Sequence, residues 1–106
     1  MLVAIVTFQL PKPSTPEELS PTFQSTAPKY QDVAGLLRKN YFVSEDGRRA
    51  GGIYVWATRA DADRLYTAEW KKFVESKYGV PPVIEYLHSP VMVDNRDRTI
   101  VSCPTQ

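Results

Sequence analysis

The sequence is poor in the residues that most metal and disulfide sites require. Its 106 residues include one cysteine, Cys103, and one histidine, His88. A lone cysteine cannot close an intrachain disulfide, which fits a reducing compartment, and one histidine with one cysteine cannot build a usual zinc site or a two-histidine iron site within one chain. We therefore predict a cytoplasmic protein without a metal. The one metal site that the sequence still allows would require two copies of His88 to meet across a dimer axis.

Long apolar runs, excess charge and nucleotide-binding glycine motifs are absent as well. The apolar start Leu2–Phe8 lacks a basic flank and is too short to span a bilayer, so it predicts neither a signal peptide nor a membrane helix. Thirteen basic against twelve acidic side chains leave a net charge of +1, which argues against nucleic acid as a partner. The sequence has no Gly-x-Gly-x-x-Gly, Gly-x-x-x-x-Gly-Lys or Gly-x-Ser-x-Gly segment, which excludes the standard dinucleotide, P-loop and serine-hydrolase sites.

What the sequence does contain is an ordinary globular composition, with 42% hydrophobic and 24% charged residues, enough for one domain. We place that domain at residues 1–95 and predict that residues 96–106 form a polar C-terminal tail, either mobile or docked on a partner. The pattern predicts, in order, a strand over 2–10, a helix from Pro16 that is kinked or restarted near Pro21, strands over 36–44 and 49–57, a helix over 58–78, and a strand over 83–94 interrupted by Pro90.

Local signals mark where these elements begin and turn. Thr15-Pro-Glu-Glu18 is a capping box with proline at the first helical position. Thr58, three residues before an aspartate, is a second capping signal, and Thr67 leaves open a restart that would divide the second helix into two. Between the two central strands, Asp46-Gly47 predicts a two-residue type I′ turn.

The order strand, helix, strand, strand, helix, strand predicts an α+β fold of the ferredoxin-like, split βαβ kind. In that fold both helices cover one face of an antiparallel sheet. The strands nevertheless carry apolar residues on both faces, and burial of the second face against another copy is the simplest way to avoid an exposed apolar patch. We therefore predict a face-to-face homodimer.

The hairpin turn fixes which residues of the two central strands face each other. It sets Phe42 opposite Gly51 and Tyr41 opposite Gly52, so that rings can cover both glycines. A bulge at the two glycines would move some of these residues from one face of the sheet to the other. Without one, the first face carries Leu37, Tyr41, Val43, Tyr54 and Trp56, and the second carries Leu36, Arg38, Asn40, Phe42, Ile53 and Val55.

Aromatic side chains are the main chemical resource of the chain. They could line a pocket for a small aromatic molecule, or they could simply fill a small core. Because the chain is small and both tryptophans and several tyrosine hydroxyls need partners, a pocket is a serious alternative. The candidate substrate-binding residues are Phe8, Tyr41, Tyr54, Tyr66 and Trp70, with Trp56 beside them.

Two polar residues are candidates for proton and charge chemistry. His88, in the middle of the last strand, is a candidate base, because a neutral imidazole can take a proton from an acidic phenol. Arg38 is a candidate partner for a substrate anion. The plainer interpretations are a hydrogen-bonded structural histidine and an interface ion pair. In a regular hairpin Arg38 lies on the face opposite Tyr54, so the candidates cannot all line one pocket without a bulge.

Four segments carry a resemblance to a known family. Ser25-Thr-Ala-Pro-Lys-Tyr30, Gly35-Leu-Leu-Arg-Lys39, Tyr41-Phe-Val-Ser-Glu-Asp-Gly47 and Ala50-Gly-Gly-Ile-Tyr-Val-Trp56 resemble the YdhR-type monooxygenases. The resemblance extends from Val3 to about Asn95. It implies membership of the dimeric α/β-barrel superfamily, whose members pair two ferredoxin-like sheets.

The same resemblance implies a chemistry. Related quinone-forming monooxygenases oxygenate electron-rich polycyclic phenols without metal or flavin, which implies O₂, a small aromatic or quinol-type substrate and no cofactor here. Trp56 matches a tryptophan of that group and is the third catalytic candidate beside His88 and Arg38. Where that group carries an asparagine, this chain has Gly52, and the second helix lacks the iron-binding histidine of haem-degrading relatives, so haem is not expected.

Two alternatives to an enzyme stay open from the sequence. One is a non-catalytic homodimeric module that binds a small aromatic ligand and releases it unchanged. The other is a dimer whose pocket is filled by its own side chains and whose partner is another protein.

Overall fold

A computed structural model describes residues 1–102 of the chain, and Cys103 lies outside the described residues. Four antiparallel strands form the main sheet in the order β2-β3-β1-β4. They are β1 (Leu2–Gln9), β2 (Leu36–Val43), β3 (Arg49–Trp56) and β4 (Val83–His88). Three α-helices accompany them, α1 (Pro16–Thr26), α2 (Arg59–Leu65) and α3 (Ala68–Tyr78), and a 3₁₀ helix over Ala27–Tyr30 follows α1. This confirms the predicted α+β, ferredoxin-like fold with an antiparallel sheet.

The threonine caps set the helix boundaries as predicted. The Thr15 hydroxyl accepts a hydrogen bond from the Glu18 N–H, and the Glu18 carboxylate accepts one from the Thr15 N–H. Thr58 caps α2, and the hydroxyl of Thr67 accepts from the N–H of Trp70 at the start of α3. Each cap satisfies a backbone donor that the helix itself leaves free. The restart at Thr67 is therefore real, and the second predicted helix is two.

The core lies between the helices and one face of the sheet, called here the inner face. In the register of β1 with β3, Leu2 lies opposite Trp56 and Ala4 opposite Tyr54, and Trp56 is fully buried. Burial of alternate residues along β1 follows from the two-residue period of a strand. The buried cluster consists of Leu2, Ala4, Val6, Phe8, Ala50, Tyr54, Trp56, Ala62, Tyr66, Trp70 and Val74.

The opposite, outer face of the sheet carries apolar side chains that no element within residues 1–102 buries. Ile53 is 38% exposed, Leu87 43% and Val83 71%. Both Ile53 and Glu85 lie opposite Ile5 in the register, and Asn40 lies opposite Ile53, so two isoleucines at the centre have an acidic and an amide side chain beside them. An apolar sheet face of this kind is typical of an interaction surface.

The turn between β2 and β3 differs from the predicted type I′ turn, although the register is as predicted. The Ser44 carbonyl accepts the Gly47 N–H at 2.9 Å, and Gly47 has a positive φ of 72° whereas Asp46 does not. The Asp46 carboxylate accepts bonds from the Ser44 hydroxyl and the Arg48 N–H, which holds this residue in its ordinary backbone region. The hairpin therefore has a four-residue loop over 45–48, and Phe42 and Tyr41 still face Gly51 and Gly52.

A bulge in β2 changes the predicted faces at the start of that strand. The register shifts between Leu36, which lies opposite Trp56, and Arg38, which lies opposite Val55. Leu36 thus packs against the core, and Leu37 is the extra residue, 59% exposed. The predicted assignment of these two leucines was reversed, and the bulge lies here and not at the glycines.

The chain after β4 does not continue the main sheet. Two further strands, β5 (Val91–Asp94) and β6 (Thr99–Ser102), pair only with each other among the described residues, and Pro90 separates β5 from β4. The single interrupted strand predicted over 83–94 is therefore two strands of different sheets. Part of the segment predicted as a polar tail, Thr99–Ser102, forms strand β6. No helix of the described residues is both long and apolar enough to cross a bilayer.

Candidate functional site

An aromatic cavity lies between the inner face of the sheet and helices α1 and α3. Every layer of the fold contributes a ring to its wall. Its volume is about 30 Å³, which is room for a water molecule or two and not for a ring system. The aromatic lining residues are Phe8, Phe23, Tyr30, Tyr41, Tyr54, Trp70, Phe73 and Tyr78.

Gly51 and Gly52 lie on the sheet side of this cavity. A Cβ atom at Gly52 would lie 2.9 Å from the Tyr54 ring and 3.1 Å from the Cε of Lys39. Those two side chains therefore occupy the space that a side chain at this position would take. The position where the resemblance places an asparagine in related enzymes is thus filled by Tyr54 and the stem of a lysine.

Lys39 is the polar centre of the site. Its Nζ lies 3.3 Å from the ring centre of Tyr30, 4.0 Å from that of Tyr41 and 4.7 Å from that of Tyr54. Burial, and next the positive charge of Lys29, lower the pKa of Lys39 from 10.5 to about 7. The faces of the three rings attract a cation and so oppose the burial effect. An amine with a pKa of about 7 is present in both its neutral and its protonated form near neutral pH.

The hydroxyl and indole groups around the cavity are paired with one another. The Trp56 Nε1–H donates to the Tyr66 hydroxyl at 3.0 Å, and the Trp70 Nε1–H donates to the Tyr30 hydroxyl at 3.1 Å. Burial raises the pKa of Tyr54 and of Tyr66 far above the usual 10. Both phenols therefore stay neutral at physiological pH, and neither serves as an anionic base.

An open groove lies on the other side of Lys39. It has a volume of about 350 Å³ and shares Tyr30, Lys39 and Tyr41 with the aromatic cavity. These three side chains therefore form the wall between the cavity and the groove, and we call them the cage wall. Arg38 and Asp32 line the groove beyond it.

The structure brings some of the predicted site residues together and separates others. Four of the predicted substrate-binding residues, Phe8, Tyr41, Tyr54 and Trp70, line the cavity. Trp56 and Tyr66 are core residues behind it, with the Trp56 ring parallel to that of Tyr54 at 6.1 Å between centres.

The two polar candidates lie elsewhere. Arg38 is exposed and lines the groove, not the cavity. His88 is exposed at the end of β4, opposite Leu2, and lines neither space. Its position on the inner-face register does not bring it to the cavity, because His88 lies opposite Leu2 at the start of β1, whereas the cavity lies beside Val6 and Phe8 nearer the end of that strand.

Sequence reasoning missed Lys39 and Tyr30. The signal for Lys39 was present, because residues two apart in a strand share a face and Lys39 precedes Tyr41 by two. A lysine in a strand suggests a solvent-facing position, and the rings that bury this one come from distant parts of the chain. Tyr30 lies in a 3₁₀ helix, where no periodic pattern indicates its direction.

Within residues 1–102, no three histidine, cysteine, aspartate or glutamate side chains cluster. The cavity lining itself contains two lysines, Lys39 and Lys77, and no carboxylate.

No family model matches the chain, and neither does any curated protein. Several solved structures are similar to it, three of them monooxygenases. The chain is 24% identical to a monooxygenase from the ActVA-Orf6 gene of Streptomyces coelicolor, solved in complex with nanaomycin D; the match covers 81% of this chain and 84% of that one, with a TM-score of 0.61.

The other two similar structures are described as antibiotic biosynthesis monooxygenases. The one from Bordetella bronchiseptica is 18% identical over 83% of this chain and 95% of that one, with a TM-score of 0.62. The second is 19% identical over 84% and 98%, with a TM-score of 0.60. The chain therefore has the ferredoxin-like fold found in these antibiotic biosynthesis monooxygenases.

Proposed function

We propose that this protein is a cofactor-independent monooxygenase of the YdhR type that acts, as a homodimer, on an electron-rich aromatic or quinol-type small molecule. The observation that carries the proposal is a partly enclosed aromatic cavity, in a fold used by monooxygenases, with one amine of near-neutral pKa in its wall. Such a site can exclude water and still exchange a proton with a bound phenol.

The chemistry requires no redox group from the protein. Conversion of a ring methylene to a carbonyl, R₂CH₂ + O₂ → R₂C=O + H₂O, takes all four electrons from the substrate. The protein must ease the loss of a proton, stabilise the resulting anion and keep bulk water away from it. The neutral phenols of Tyr54 and Tyr66 and the ring faces around the cavity supply the dry surroundings.

Substrate entry requires the cage wall to move. A ligand of one or more rings needs several hundred cubic ångströms, more than the cavity offers and similar to the volume of the groove. Displacement of the Lys39 and Tyr41 side chains would join the two spaces. The cage wall is made of side chains from β2 and the 3₁₀ helix, so this movement needs no change in the sheet.

The outer sheet face is the surface by which we propose that two copies pair. A dimer at micromolar concentration is expected in light scattering, because pairing removes Ile53, Leu87 and Val83 from water. Ile53→Glu at the centre of that face should weaken the dimer at least tenfold, whereas the charge reversal Lys72→Glu on the exposed surface of α3 should leave it unchanged. A monomer at all concentrations would contradict the dimer.

Oxygen uptake tests the proposed reaction. Chelator-treated protein should consume O₂ with one or more members of a panel of hydroquinones and anthrones, and each product should gain one oxygen atom. Gly52→Val, which adds bulk against Tyr54 and Lys39, should lower the rate at least tenfold. Ala68→Val, with similar added bulk on the exposed first turn of α3, should keep it. No uptake above buffer across the panel would contradict a monooxygenase.

The small cavity favours one alternative, a non-catalytic binding module for a small aromatic ligand. In that case a panel compound should quench the fluorescence of Trp70, which lines the cavity, in a saturable manner and be recovered unchanged. Binding without oxygen uptake would decide for this alternative.

A further inference from the structure

We propose that Lys39 is the base that removes the phenolic proton of an electron-rich phenol bound at the cage wall. The assignment rests on the proposed function for what happens after the proton has left, but the proton transfer itself can be measured without turnover. His88 lies outside both the cavity and the groove, and the buried tyrosine phenols stay neutral, so neither can act as the base. Lys39 fills that role.

The placement of the Lys39 amine carries this inference. Its Nζ sits between the rings of Tyr30, Tyr41 and Tyr54, at the single wall that both the cavity and the groove share. A molecule entering from the groove meets this amine before it reaches the aromatic interior. Among residues 1–102, no other nitrogen base lines both spaces, since the remaining lysine of the cavity, Lys77, does not line the groove.

The charged groups around Lys39 favour an anion beside it. Lys29 on the 3₁₀ helix lowers the pKa of Lys39, and Lys77 on α3 lines the cavity. On the groove side, Arg38 contributes a further positive charge and Asp32 the one carboxylate among the groove residues. A neutral phenol that ionises here is surrounded mainly by cations, which stabilise the phenolate.

The proposed step is a single proton transfer. The lone pair on Lys39 Nζ forms an N–H bond, the phenolic O–H bond breaks, and its electron pair stays on the phenolate oxygen. The new ammonium lies against three ring faces, which stabilise it, and close to the phenolate it has made. No electron is transferred in this step. The site therefore selects phenols of near-neutral acidity over alcohols, whose protons an amine of this basicity cannot remove.

The bound state of a phenolic probe tests the step directly. We would titrate 7-hydroxycoumarin, whose neutral and anionic forms have different absorption and emission spectra, with the purified protein at pH 7. The bound probe is expected to be mainly phenolate in the wild type. In Lys39→Met the ratio of bound phenolate to bound phenol should fall about tenfold, the effect of losing one adjacent charge partner. Lys72→Met, which removes an exposed lysine of α3 that lines neither the cavity nor the groove, is the matched control and should keep the wild-type ratio.

A second measurement covers the case in which Lys39→Met does not fold. In protein labelled with ¹³C-lysine, the Cε resonance of Lys39 in the unliganded wild type should titrate near pH 7 and not near the ordinary lysine value of 10.5. Titration of Lys39 near 10.5 would overturn the proposal, as would a neutral bound probe, an unchanged ratio in Lys39→Met, or failure of the probe to bind at millimolar concentration.

These outcomes separate the two proposals. A phenolate signal that depends on Lys39, without oxygen uptake from any substrate, would support the base and contradict the monooxygenase. Oxygen uptake that is unchanged in Lys39→Met would support the monooxygenase and contradict the base.

Discussion

Gly51→Ala is expected to destabilise the fold by about 4 kcal/mol or more, a large share of the stability of a domain of this size. A Cβ atom at Gly51 would lie 1.8 Å from the carbonyl oxygen of Val6 and 2.9 Å from its carbonyl carbon. Both are backbone atoms of β1, the central neighbour of β3 in the sheet. They cannot turn away as a side chain can, so β1 and β3 must separate locally and lose hydrogen bonds at the centre of the core.

Urea unfolding followed by circular dichroism measures this effect, and the neighbouring glycine supplies the control. In Gly52→Ala the new methyl group meets the Tyr54 ring at 2.9 Å and the Lys39 Cε at 3.1 Å, which are side-chain atoms that can shift. Its cost should be about 1–2 kcal/mol. Equal unfolding midpoints for Gly51→Ala and the wild type would mean that the backbone contact between β1 and Gly51 is not as close as described.

The fold was predictable because the signals that set it are local or periodic. The capping box at Thr15 and the caps at Thr58 and Thr67 fix three helix starts through bonds within four residues of chain. The register of β2 with β3 depends on the position of the turn and not on its type, so an incorrect type I′ prediction around Gly47 still gave the correct partners. Alternation along β1 then determines which face the helices cover.

The bulge in β2 was not predictable, and it changed the composition of the site. Leu36 and Leu37 are both apolar, so either can be placed inward without a change in the hydrophobic pattern. The choice is made by packing against Trp56 from another strand. The same dependence on distant residues explains Lys39, whose burial comes from Tyr30 and Tyr54, at the end of one helical segment and on a different strand.

The placement of His88 has a similar cause. Periodicity indicates the face of β4 on which a residue lies, and His88 does share the register position of the buried Leu2. Burial depends in addition on whether a helix extends over that end of the sheet. His88 is the last residue of β4, which is an edge strand with β1 on one side only, and its imidazole is exposed.

The stability of the protein is expected to rise between pH 7 and about pH 10 and to fall above it. Lys39 has a pKa of about 7 in the folded chain and the ordinary 10.5 when unfolded. Between these values the unfolded state binds more protons, so the free energy of unfolding increases with pH. Because each pH unit is worth at most about 1.4 kcal/mol, the rise from pH 7.5 to 9.5 should be about 2 kcal/mol.

The tyrosines account for the fall at higher pH. Burial raises the pKa of Tyr54 and Tyr66 strongly, and that of Tyr78 to about 12. Their unfolded pKa is about 10. A raised folded pKa stabilises the fold below the unfolded value and loses that contribution as the pH climbs toward the folded one. Stability should therefore pass through a maximum near pH 10.

Urea unfolding at intervals from pH 6.5 to 11, for the wild type and Lys39→Met, separates the two effects. The variant should lack the rise and keep the fall, because it removes the amine and leaves the three buried phenols. Lys77→Met, which removes an exposed lysine of the same cavity, should retain the complete wild-type profile. If Lys39→Met showed the same rise, another group would have to titrate between pH 7 and 10. Lys39 would then be an ordinary ammonium group, and folding would not disfavour its protonated form.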